Sequence, residues 1–207
     1  MDRGLKRWEI ALLFGILMTM LTGVWLGEEQ KELAGQLVRL HVVANSDSER
    51  DQAMKLAVRD RVLTRAETLY PSELTRSEAL EILSRHLPEL EQAGQEEADR
   101  WGSGAQVKAS LEECWFPTKE YDGFALPAGE YTALRVVIGE GAGQNWWCVA
   151  FPPLCLGAAS ETVEQAVEAG NFTPEQGALM RRENEGYVLK FKSLELLGQL
   201  KGLFETM

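Results

Sequence analysis

At Gly102-Ser103-Gly104 the apolar period of the sequence changes. Upstream, Met54, Val58, Val62, Ala66 and Leu69 form a helical row, and Leu80, Leu83 and Leu87 form a second. Pro88 opens a third, more polar helical stretch, 88–100. Downstream, Val107, Ala109 and Leu111 alternate with Lys108, Ser110 and Glu112, as on a half-buried strand. EYTALRVVIG and NWWCVAF follow, and the glycine-rich GEGAGQ between them predicts a hairpin. Ahead of the helices, LVRLHVVA (37–44) is short, Val-rich and bounded by turn formers, which predicts a strand. Three capping boxes are expected: Ser46 with Glu49, Thr75 with Glu78, and Thr173 with Gln176 around Pro174. Ser160 starts another helix, and Leu197, Leu200 and Phe204 stripe a last one. The order is strand, helices, a central antiparallel hairpin sheet, then C-terminal helices. That is an α+β fold in a single domain.

Ile10 to Leu26 is uncharged and almost wholly apolar, with Arg3, Lys6 and Arg7 before it and GEEQKE after it. As a helix it would be roughly 26 Å long, just short of a ~30 Å hydrocarbon core. Position and flanks predict a signal peptide or signal anchor over 1–27, with the body exported. Residues 28–36 read as a linker and 37–207 as the extracytoplasmic domain. The net charge is −11. An acidic body repels phosphate backbones and anionic lipid, so neither nucleic acid nor a membrane surface is an expected partner. Membrane contact is expected only through the N-terminal segment.

His41, Ser46 and Asp47 are close enough in sequence to suggest hydrolysis. No G-x-S-x-G elbow surrounds Ser46, and a capping role accounts for it. Asn45 suits a tight turn. Asp60 lies at the edge of the first helical stripe, polar where the pattern runs apolar. A structural bond from helix to strand, with Asp60 meeting His41 or Arg39, is the expectation; a solvated helix face is the alternative. A hydrolase using His41 with Asp47, Asp60 or a cysteine is the competing enzyme reading. The cysteines Cys114, Cys148 and Cys155 have no metal-ligand spacing, so no metal or cofactor is expected.

Export permits a disulfide. Seven extended steps from Cys148 to Cys155 would span about 23–25 Å, so the pair meets only if the chain reverses at Pro152-Pro153. Pairing and two buried thiols both stay open. Trp146 and Trp147 adjoin on a strand and must point to opposite faces, so one can fill the core while the other is covered or forms a contact patch.

Three blocks are distinctive together: RLHVVANSDSERDQAMKLAVRDRVL, LPAGEYTALRVVIGEGAGQNWWCVAFPPLC and KFKSLELL. In these the chain resembles the stage II sporulation protein R family of endospore-forming Firmicutes, over roughly 37–197. The resemblance implies a secreted signal, made in the forespore and sent into the space between the two sporulation membranes. There it would trigger a membrane-embedded aspartic protease of the mother cell, which processes a sigma-factor precursor. It implies no catalytic residues. It marks His41, Asn45, Ser46, Asp47, Asp60, Trp146, Trp147, Cys148, Pro152, Pro153 and Cys155 as hallmark positions and candidates for partner contact.

Overall fold

A computed structural model of the chain describes residues 6–8, 11–15, 18, 31–71, 74–121, 124–155 and 159–180. The elements run β1 (Val38–Val43), α1 (Glu49–Leu69), α2 (Arg76–Arg85), α3 (Leu87–Arg100), β2 (Val107–Phe116), β3 (Lys119–Glu120), β4 (Ala125–Leu126), β5 (Gly129–Ile138), β6 (Asn145–Phe151), α4 (Ala159–Glu168) and α5 (Pro174–Met180). The α+β class expected from the sequence is the one observed.

The hairpin expected between β5 and β6 does not form. The main sheet has the order β2-β5-β1-β6, so β1 lies between the two predicted arms. It pairs parallel with β5 and antiparallel with β6. β1 and β5 are thus covered on both edges, which suits their near-continuous apolar character. β2 pairs antiparallel with β5 from Val107 to Phe116, and β3 with β4 forms a separate small ribbon.

One sheet face carries Val38, Leu40, Val42, Leu134, Val136 and Ile138. It packs on Met54, Val58, Val62, Leu63 and Ala66 of α1, with Leu83 and Leu90 behind. The opposite face is covered over part of its area by Leu33, Phe124, Leu126, Leu154, Val163, Ala166 and Phe172. Leu33 is fully buried, so packing reaches back into the stretch 28–36 read as a linker. Most of the apolar run 10–26 and the C-terminal stripe lie outside the described residues. Leu12, Leu13, Phe14 and Met18, which are described, are exposed. Among the described residues no helix is long and apolar enough to cross a membrane.

Two caps match the sequence. Thr75 and Glu78 form a reciprocal capping box at α2. Thr173 and Gln176 bond each other's backbone N–H at 2.8 and 3.2 Å ahead of α5. The third does not match. The N-cap of α1 is Ser48, whose Oγ accepts from Asp51 N at 3.2 Å. Ser46 has a different task.

Candidate functional site

The loop Asn45–Asp47 and the glycine-rich loop 139–144 grip each other. Asn45 Oδ1 accepts from Glu140 N at 3.1 Å, and Asp47 Oδ1 accepts from Gln144 N at 2.7 Å. The backbones add Ala142 N to Asn45 O at 3.2 Å and Gly143 N to Ala44 O at 2.9 Å. Gly139 has φ +57°, and a Cβ there would come within 2.2 Å of Asn45 Oδ1. A Cβ on Gly143 would lie 2.3 Å from Ser46 O. The glycines are therefore required by the close approach of the second loop, not by a hairpin. Ser46 Oγ donates to Asp51 Oδ2 at 2.6 Å, and Asn45 Nδ2 donates to the same oxygen at 2.9 Å. Those two bonds, Ser46 first, hold the Asp51 carboxyl below the usual range. Lys55 is nearly buried beneath this clasp, donating to Gln52 Oε1 at 2.6 Å and Gln144 O at 3.0 Å.

Asp60 does not reach β1. Its carboxylate pairs with the neighbouring Arg59 at 2.7 Å, so the expected helix-to-strand bond to His41 or Arg39 is absent. The Arg59 guanidinium lies 4.4 Å from the centre of the Trp146 ring. Trp146 sits opposite Val42 on the helix-covered face, 37% exposed under that cation.

His41 and Trp147 lie on the other face. They are register partners across β1 and β6, with ring centroids 6.1 Å apart, and Phe116 packs against both. His41 Nε2 donates to Asn145 Oδ1 at 2.7 Å, and Nδ1 is buried without a partner. Desolvation lowers the His41 pKa from its ordinary 6.5, outweighing the opposing pull of the Asn145 bond. Around this half-buried pair stand Lys119, 5.9 Å from the Trp147 ring, and an Arg135–Glu112 ion pair at 3.2 Å.

Two strand positions from His41, Arg39 is fully buried and has no carboxylate partner among the described residues. Its guanidinium stands 4.3, 4.9 and 5.9 Å from the ring centres of Phe116, Tyr131 and Tyr121. Nε donates to Cys148 O at 3.0 Å and Nη2 to Tyr121 Oη at 2.7 Å. Sequence reasoning missed this aromatic box. The available signal was an arginine set directly between Val38 and Leu40 inside a strand.

Cys148 and Cys155 form a disulfide, with Cα atoms 5.7 Å apart, and the chain reverses at Pro152-Pro153 between them. The remaining thiol, Cys114, is half-buried, and burial and Glu112 push its pKa up. That is the reverse of what activates a nucleophile. The pairings available to a hydrolase are thus committed elsewhere: Ser46 to Asp51, Asp47 to Gln144, Asp60 to Arg59, Cys148 to Cys155. Among the described residues no group of three His, Cys, Asp or Glu side chains converges as metal ligands would.

Comparison with known proteins agrees with the blocks that form this architecture. The profile of the stage II sporulation protein R family matches residues 34–161, more than half of the chain. Stage II sporulation protein R of Bacillus subtilis (strain 168) is 38% identical over 121 residues, which is 58% of this chain and 54% of that protein. The match therefore spans about half the length of that relative. No solved structure matches the chain. The matched region takes in the clasp, the Arg39 box and both tryptophans, and on that match the chain belongs to the stage II sporulation protein R family, with a role in sporulation.

Proposed function

We propose that the protein is an exported ligand that activates a membrane-embedded aspartic protease of the mother cell during sporulation, and so brings about processing of a sigma-factor precursor. The body would act in the space between forespore and mother cell, exported or tethered by its N-terminal apolar run. Family membership supports the setting. The observation that carries the mode of action is the division of labour among the hallmark side chains. Asn45, Ser46, Asp47, Cys148 and Cys155 are spent on holding loops together. His41 and Trp147 instead stand on a half-open sheet face beside Lys119, where a partner can reach them. An aromatic anchor flanked by a cation is the composition of a contact surface rather than of an acyl-transfer site.

The test is reconstituted cleavage. The full chain is co-expressed with the protease and its precursor substrate in a non-sporulating host. Cleavage above the level without the chain is expected; none, with both proteins correctly located, overturns the proposal.

A further inference from the structure

β2 is one edge of the main sheet, and α3 shows which way its backbone groups point. Gln95 Oε1 accepts from Val107 N at 2.8 Å, and Glu91 Oε2 accepts from Ala109 N at 2.9 Å. Gln95 Nε2 donates to Ala105 O at 3.2 Å. Alternate residues of an antiparallel strand face the same way, and β2 pairs with β5 without a register shift. Leu111, Glu113 and Trp115 therefore also turn their N–H and C=O groups outward. The side chains of α3 cover the edge only as far as Ala109. Beyond it, no hydrogen bond to the outward groups of Leu111, Glu113 or Trp115 exists among the described residues. The opposite edge is treated differently: Tyr121 Oη donates to Trp147 O at 3.1 Å, and Cys155 Sγ lies 3.0 Å from Val149 N.

An edge left unpaired among the described residues is a template for another strand, and its side chains say which kind. Trp115 is 55% exposed, opposite the exposed Glu130, and the exposed Glu113 is opposite Thr132. Neither Glu113 nor Glu130 is ion-paired among the described residues. A second copy pairing symmetrically about Glu113 would set carboxylate against carboxylate, which destabilises a cross-strand pair.

We infer that the edge Leu111–Phe116 receives an extended segment of a partner protein, bearing lysine or arginine alternating with apolar residues, as a fifth strand of the main sheet. Main-chain bonds to Leu111, Glu113 and Trp115 hold it. Trp115 anchors its apolar side chains, and Glu113 and Glu130 select its cations. For the partner's identity this rests on the functional reading above; the edge and its chemistry do not.

The probe is the capped peptide Lys-Val-Lys-Val-Lys-Val, with Glu-Val-Glu-Val-Glu-Val as control, added to the intact chain. Amide hydrogen exchange is read residue by residue. The basic peptide is expected to slow exchange at Leu111, Glu113 and Trp115 at least tenfold, and the acidic one is not. Glu113→Pro removes one outward N–H and no main-chain bond to β5, only the side-chain bond from Thr132, so it should keep the fold and lose the protection. The double variant Glu113→Lys/Glu130→Lys should lose it without touching the backbone. Unchanged exchange with the basic peptide, or equal protection by both peptides, overturns the inference. So does self-association through β2 that Glu113→Pro abolishes. In the cleavage assay the same variants should activate at least tenfold less than the wild-type chain. Full activation by the variants refutes the edge, whereas no activation by the wild type refutes the functional reading alone.

Discussion

Arg39 holds its guanidinium 4.3 Å from the centre of the Phe116 ring with no surface exposed to solvent. A buried cation without a carboxylate is costly unless its protons and its charge are met in another way. Here the Cys148 carbonyl and the Tyr121 hydroxyl accept from Nε and Nη2 and three aromatic faces meet the charge, while Nη1 is left without a hydrogen-bond partner among the described residues. Burial in turn pushes the Tyr121 and Tyr131 hydroxyls above their ordinary pKa, against the opposing field of Arg39.

Arg39→Ala should destabilise the fold by about 3–5 kcal/mol, since it leaves a cavity and strips Cys148 O of its donor. Arg39→Met keeps the stem and removes the buried charge, and should cost less than about 2 kcal/mol. Urea unfolding midpoints separate the two. Equal losses would show that the charge, not the packing, holds the box.

The clasp makes a sharper demand on glycine. Gly143→Ala forces a Cβ onto a backbone oxygen and should cost about 2–3 kcal/mol. Gly104→Ala, where nothing lies within 4 Å, is the near-neutral control. Asn45→Ala should cost about 1–2 kcal/mol by orphaning its partners. If Gly143→Ala matches the control in a thermal melt, the two loops are not interlocked in solution.

Reducing the Cys148–Cys155 bridge should lower stability by about 2.5 kcal/mol, the loop-entropy value for a ring this short. The denaturant midpoint with and without reductant gives the figure. Alkylation of the unreduced, unfolded chain should label Cys114 alone.

His41 sets a pH window. Its pKa is lowered in the fold, so the unfolded state takes up the proton first as pH falls. Its contribution to stability is fully present above 6.5, its ordinary value, and is lost as pH falls through the lower folded value. Stability should decline from pH 7.5 towards 5, with part of that slope removed in His41→Gln. A ring titration midpoint at or above 6.5, read by NMR, would contradict the burial that produces the shift.

The adjacent tryptophans should part company. Trp146→Ala loses the Arg59 contact, costs about 1 kcal/mol and leaves protease activation near wild type. Trp147→Ala should reduce activation at least tenfold. Equal activation by both variants in the cleavage assay would remove the His41–Trp147 face from the contact surface.

Much of this was legible locally. The helical row Met54–Ala66, the Thr75–Glu78 and Thr173–Gln176 boxes and the strand NWWCVAF depend on spacings of a few residues. The local rules failed at Ser46 and at GEGAGQ. A Ser-x-x-Glu pattern looks the same whether Ser46 caps a helix or Ser48 does. Glycines between two strands look the same whether those strands pair or merely flank a third.

The sequence by itself determined the main-sheet strands and most of the described helices, the α+β class, the acidic charge and the two-faced placement of Trp146 and Trp147, because period and composition act between near neighbours. Only the tertiary structure decided that β1 enters between β5 and β6, since strand pairing is chosen by burial summed over the whole sheet. From that single insertion follow the rest: Asn45–Asp47 meets the glycine loop, Arg39 meets Phe116, and Trp147 meets His41. Each joins residues far apart in the chain, through contacts that spacing alone does not encode.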